Sequence, residues 1–237
     1  MKNQAMIMEK CGQKMSSGKW GRRILVLSLA VMMMAGLCSC KNEFNSKMGD
    51  VRDALEETCS AEKAEDEQYD EMVDTQYQLP DVADDFRKGV FSEIKSKNYQ
   101  YFGFHTVVDT SKVKSLFKYM KTDPDKISAG SVPVMEVLVV QFSNADAATN
   151  YFNALMAQRK RAYTNNEGLD EDMFNQFVEK KEYFAYACES EYMYFNVYAQ
   201  IDGKTVMYAF VEGPVSDTLK KDFKAFMKEM ECSYIEH

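Results

Sequence analysis

The sequence predicts an α+β fold. It reads as a two-layer sandwich in which one mixed, mostly antiparallel sheet carries helices mainly on one face, preceded by an acidic helical stalk. Three observations predict it. Residues 132–142 are nearly continuous Val, Met and Leu, as in a central strand covered on both faces. Residues 182–212 hold three strand-like runs in quick succession, the last two joined by Asp202-Gly203, a strong two-residue hairpin signal. Apolar residues elsewhere recur at spacings of three and four, the mark of amphipathic helices.

The acidic segment comes first. Between Asp50 and Asp74 there are eleven acids against Arg52 and Lys63. Within it Phe44, Met48, Val51, Leu55 and Cys59 form a helical stripe too short for a coiled coil. Residues 40–78 therefore read as a stalk, its stripe packing on the domain or spacing it from a membrane. The domain proper is expected over residues 79–237, a length sufficient for one sizeable core.

Near Pro80, Asp81 is a plausible cap, and Val82, Phe86, Val90, Phe91 and Ile94 line a helix ending near Asn98. Residues 99–108 are rich in aromatic and β-branched residues and read as a strand. Asp109 caps a second helix over about 110–121, with Val113, Leu116, Phe117 and Met120 inward; Pro124 disfavours helix at Asp123. After the central strand, Ser143 and Asp146 have the form of a capping box. The helix they open runs to about Ala162, with Ala147, Tyr151, Ala154 and Leu155 inward. Arg159-Lys160-Arg161 close it, cations suited to the negative end of its dipole. A short helix at 170–178, the three strands, and a last helix at 215–230 bearing Leu219, Phe223 and Phe226 complete the chain.

Ahead of all this, Arg22-Arg23 close a basic segment, and residues 24–37 are fourteen uncharged, mostly apolar residues. That suits the apolar core of a secretory signal, about 7–15 residues. It falls short of the ~20 residues of a membrane-spanning helix. Purely aliphatic residues after the arginines favour the general secretory route over twin-arginine export. The run ends Leu37-Cys38-Ser39-Cys40. It resembles the lipobox of bacterial lipoproteins, with an aliphatic residue three positions before the modified cysteine and a small one directly before it. Cys40 fits, with Leu37 and Ser39 in those places. Cys38 fits poorly, because Leu37 directly precedes it. The resemblance covers about residues 20–40 only. It implies a signal peptide at 1–39, lipid on Cys40 and a place in the cell envelope. Lys41 and Asn42 follow Cys40 where an aspartate would imply inner-membrane retention, so the outer membrane is favoured.

Removal of residues 1–39 takes away six basic residues and one acid, moving the formal charge from −8 to −13. So acidic a chain repels nucleic acid and anionic headgroups. Lipid, not a basic patch, would hold it at the membrane.

Three cysteines remain after Cys40, with no Cys-x-x-Cys pair, which argues against a zinc or thioredoxin-like site. Cys188 and Cys232 are candidate disulfide partners in an exported protein; the other reading buries Cys188 as a small hydrophobe. The histidines are His105 and His237. His105 would have to carry any histidine-based catalysis, and no nucleophile elbow, phosphate loop or zinc-protease motif accompanies it. Glu136 interrupts the central strand, so it lies at the rim, is paired, or is a functional carboxylate. No catalytic residue, metal or cofactor is assigned.

Residues 191–201 split with period two. Met193, Phe195, Val197, Ala199 and Ile201 face one way, and Tyr192, Tyr194, Asn196, Tyr198 and Gln200 the other. Tyr183 and Tyr208 lie on neighbouring strands. This tyrosine face has three readings: a dock for an envelope protein or a second copy, an internal layer covered by the N-terminal helices, or a small-ligand or glycan platform. The expectation is a membrane-anchored, non-catalytic interaction or structural module of the envelope. The alternative is a ligand-binding lipoprotein using the tyrosine face or the loop at 163–169.

Overall fold

Glu43–His237 form one unit of structure. The computed structural model describes residues 43–73, 79–94, 99, 103–166 and 173–237. The signal segment and Cys40 lie outside the described residues.

In chain order the elements are α1 (Glu43–Cys59), β1 (Glu62–Lys63), α2 (Asp66–Val73), α3 (Leu79–Val82), β2 (Val90–Ile94), β3 (Val113–Thr122), β4 (Val134–Phe142), α4 (Ala145–Asn166), β5 (Phe174–Glu179), β6 (Tyr183–Glu189), β7 (Met193–Asp202), β8 (Thr205–Pro214) and α5 (Asp217–Glu229). The strands make one eight-stranded sheet in the order β1-β2-β3-β4-β8-β7-β6-β5. The short β1–β2 pair is parallel, and every other pair is antiparallel. The α+β class and the single mixed, mostly antiparallel sheet are as the sequence predicts.

The layering is fuller than a two-layer sandwich. On one face, Phe117, Tyr119, Val137, Val139, Tyr198 and Val211 meet α1 and α5. On the other, Leu116, Leu138, Val140, Val197, Tyr208 and Phe210 meet α4, with Met72, Val82 and Phe86 beside it. Helices thus cover both faces. The expected stalk is part of this cover: Val51, Leu55 and Cys59 of α1 are buried against the sheet. The domain begins at Glu43 rather than at residue 79, because the apolar stripe within the acidic segment needs an apolar surface and finds one beside α5.

Burial on both faces also explains two misread elements. Val113, Leu116, Phe117 and Met120 have helical spacing, yet they lie in β3, where every residue from Leu116 to Met120 is buried and no alternation survives. Val90, Phe91 and Ile94 are likewise a strand, β2. Gly89 turns the chain into it at φ 67°, where an added Cβ would stand 2.6 Å from Tyr119 Oη. The helix expected at 170–178 is β5, on the sheet edge. Within residues 99–108, the described part is irregular rather than a strand: Tyr99 and Phe104 are buried singly, and Tyr151 Oη donates to the Phe104 carbonyl at 2.9 Å.

The remaining elements follow their local signals. Asn144 Oδ1 caps α4 by accepting from Ala147 N at 2.8 Å. Ser216 Oγ caps α5 by accepting from Leu219 N at 3.2 Å. Asp202 pairs with Thr205 across the hairpin, so Gly203 and Lys204 are its two turn residues, with Gly203 at φ 57°. Helix α4 carries the chain from β4 at the centre of the sheet to β5 at its edge.

Candidate functional site

The tyrosine face is an internal layer. Tyr194 and Tyr198 are buried beneath α5 and the last residues of the chain. Lys220 Nζ lies 4.4 Å from the Tyr194 ring centroid. Asn196, buried between the two tyrosines, donates to Tyr194 Oη at 3.1 Å and to the Ile235 carbonyl at 2.8 Å. Tyr183 stacks on Tyr198 at 5.7 Å, Tyr208 lies on the opposite face, and Tyr192 stands exposed in the β6–β7 turn. These five residues form no common surface. The expected docking or glycan platform is filled by the protein's own helices.

Cys188 and Cys232 are also separated by the sheet. Cys188 shares a cavity with Tyr186 and Phe195 on the α4 side, while Cys232 packs with the α1–α5 core. Both are free thiols, as is the buried Cys59. The expected disulfide is absent, because the two side chains leave opposite faces of one layer.

The functional features gather on the α4 side. Helix α4 lays Ala148, Tyr151, Phe152 and Leu155 on the sheet. One turn beyond Leu155 the same stripe presents Arg159. The helix runs on to Asn166, so Arg159 is not in its last turn and does not serve its dipole. Its Nε donates to Tyr208 Oη at 2.8 Å, and its guanidinium carbon lies 5.0 Å from the Phe195 ring centroid and 5.6 Å from that of Tyr208. Among the described residues, no acceptor lies within hydrogen-bonding distance of its two terminal nitrogens. Beyond it Tyr163 packs on Phe177 and Tyr186, at 5.9 and 6.3 Å between ring centroids, while Ala162 and the polar Asn166 leave the space beside Arg159 open.

A cavity of about 650 Å³ results. Arg159, Ala162 and Asn166 of α4 form one wall; Tyr186, Phe195 and Glu212 of the sheet form another. Val132, Val134, Met173 and Met193 make the remainder largely apolar. Asn166 Nδ2 donates to Tyr186 Oη at 3.0 Å. Gly213 closes the base at φ 119°; a Cβ there would meet the Pro133 Cα at 2.7 Å, so only glycine lets the two backbones approach. Burial pushes the Glu212 carboxyl up, against the pull of Arg159 and His105. No ion pair within 4 Å joins Glu212 to Arg159.

Beside the cavity sits Glu136, buried with a side chain 5% exposed. It is paired, not at the rim. His105 Nε2 is 2.6 Å from its Oε1, and Lys118 Nζ is 3.1 Å from its Oε2. Burial alone would push the Glu136 carboxyl up; Lys118 and His105 reverse this and hold it down at about 2. His105 reaches it from a positive φ of 59°, its ring edge-on to Phe210 at 5.0 Å. No serine, threonine or cysteine among the described residues hydrogen-bonds to His105. No cluster of metal-ligating side chains occurs among the described residues.

Sequence reasoning singled out Glu136 and His105 separately without joining them. It missed Arg159 as an inward residue, although the four-residue step from Tyr151 to Leu155 to Arg159 is a signal for it.

Among the described residues, no helix is long and apolar enough to cross a membrane. No protein-family model matches the chain, and no curated protein is significantly similar to it in sequence. Among solved structures, the extracellular domain of PknH from Mycobacterium tuberculosis is similar over 60% of this chain and 77% of that chain, at 8% identity and a TM-score of 0.35. A likeness that slight carries no inference about function.

Proposed function

We propose that this chain is a bacterial lipoprotein, anchored in the cell envelope through lipid on Cys40, whose domain is a non-catalytic module that binds a small ligand in the α4 cavity. The cavity carries this reading. Its volume of about 650 Å³ lies within the range of ligand sites, and it combines an apolar lining with a few convergent polar groups. Burial of Tyr194 and Tyr198 favours the cavity over the tyrosine face as the binding surface.

Two measurements test the two halves of the proposal. Replacing Cys40 by alanine should release the protein from the membrane fraction and remove the mass of the acyl groups; unchanged fractionation and mass would defeat the anchor. For the cavity, the neutral fluorophore N-phenyl-1-naphthylamine should brighten on binding the wild-type domain. Ala162→Trp, which fills the cavity from α4, should abolish that signal while leaving the circular dichroism unaltered. Equal fluorescence with both proteins would place binding elsewhere and defeat the reading.

A further inference from the structure

Among the described residues lining the cavity, the one cation, Arg159, is incompletely answered. Arg159 spends Nε on Tyr208 and rests its guanidinium plane over two aromatic rings, while its terminal nitrogens meet no acceptor among the described residues. Glu212 lines the same space, yet it stands beyond ion-pair distance and its carboxyl is pushed toward the neutral form by burial. The other nearby charges are engaged with each other: Lys118 and His105 both hold Glu136. A half-buried guanidinium facing apolar walls is costly unless an anion completes it. Its planar fork matches a planar oxyanion, with two parallel N–H···O bonds. The remaining walls are mostly apolar, among them Val132, Val134, Met173 and Met193, with Ser131 and Ser190 as small neutral groups, and so suit an apolar body at such a ligand's other end.

From these observations we infer that the cavity takes an amphipathic monoanion, an apolar body ending in a carboxylate, with Arg159 holding the carboxylate and the sheet-side apolar wall holding the body. This rests on the cavity reading above and names its ligand class. Glu212 faces the bound carboxylate. As an anion it opposes the ligand; protonated, it donates a hydrogen bond to it. It therefore tunes affinity without being required for it.

The test compares three straight-chain probes of equal length, laurate, dodecanol and dodecylammonium, as competitors of N-phenyl-1-naphthylamine on the whole domain. Laurate should compete at least about tenfold better than dodecanol, as a charge-assisted bidentate pair demands. Dodecylammonium should compete worst. Arg159→Gln should erase the laurate advantage while fluorophore and dodecanol still bind, and Arg159→Lys should retain part of it. Glu212→Gln should tighten laurate a few-fold and leave dodecanol unchanged. Melting curves of each variant show that the domain is intact. If the fluorophore binds wild type and not Ala162→Trp, but laurate and dodecanol compete equally, the cavity reading stands and the inference is overturned. A laurate preference that survives Arg159→Gln overturns it too. If the fluorophore does not bind wild type at all, the cavity reading itself falls.

Discussion

Glu136→Ala should destabilise the domain by about 3–5 kcal/mol, because it breaks a buried ion pair and removes the carboxylate that both Lys118 and His105 hold. The Lys118 side chain is only 10% exposed. Replacing both partners, with Glu136→Leu and Lys118→Met together, should recover most of that loss, since an apolar pair of similar volume needs no compensation. Urea unfolding of the three proteins measures this; a double variant no more stable than Glu136→Ala alone would show that the charges do more than satisfy each other. The same pair sets an acid limit. The folded carboxyl is held at about 2 against an ordinary value of 4.5, so its contribution is fully present above the higher figure and is lost as pH falls toward the lower one. The stability of wild type should decline through that window more steeply than that of the double variant.

The second large effect concerns α1. Leu55 is fully buried between α1 and the sheet, so Leu55→Ala should cost about 2–5 kcal/mol through lost burial and the cavity left behind. The residue sits in a segment whose composition reads as a solvated spacer. A loss below about 0.5 kcal/mol, the range of an ordinary surface substitution, would return α1 to that role.

How much of the architecture was legible depends on which side of a residue met water. Strand β7 was read correctly as a period-two split, because its tyrosine and asparagine positions differ in polarity from its valine and alanine positions even though both faces are buried. Helix α4 was legible from its stripe, although Asn144 rather than Ser143 caps it, and α5 from its strong amphipathic contrast. Strands β2 and β3 were not, since a residue buried on either face is apolar either way, and Leu116, Phe117 and Met120 then match a helix as well as a strand. The candidate site was legible in parts. Glu136 stood out as a charge inside an apolar strand; its partner His105 arrives from an irregular segment thirty-one residues earlier, a juxtaposition that no local pattern encodes. Arg159 was hidden by its neighbours Lys160 and Arg161, which are exposed and make the trio look like a helix end.

The pairing of α1 with α5, and of β4 with β8, bears on when the protein can fold. The central strand finds its second neighbour only after α4 and the β5–β7 meander have been made, and the first helix finds its cover only when the last one exists. Loop-closure entropy for such distant partners must be met before their contacts return anything, which slows folding. Strands β2–β4 and β5–β7 pair locally, but only β8 joins the two halves and only α5 completes the cover of α1, so the full core waits for the final residues. Late topological closure of this kind suits a chain that must pass a secretory channel unfolded, since its complete core forms only once the last helix is present.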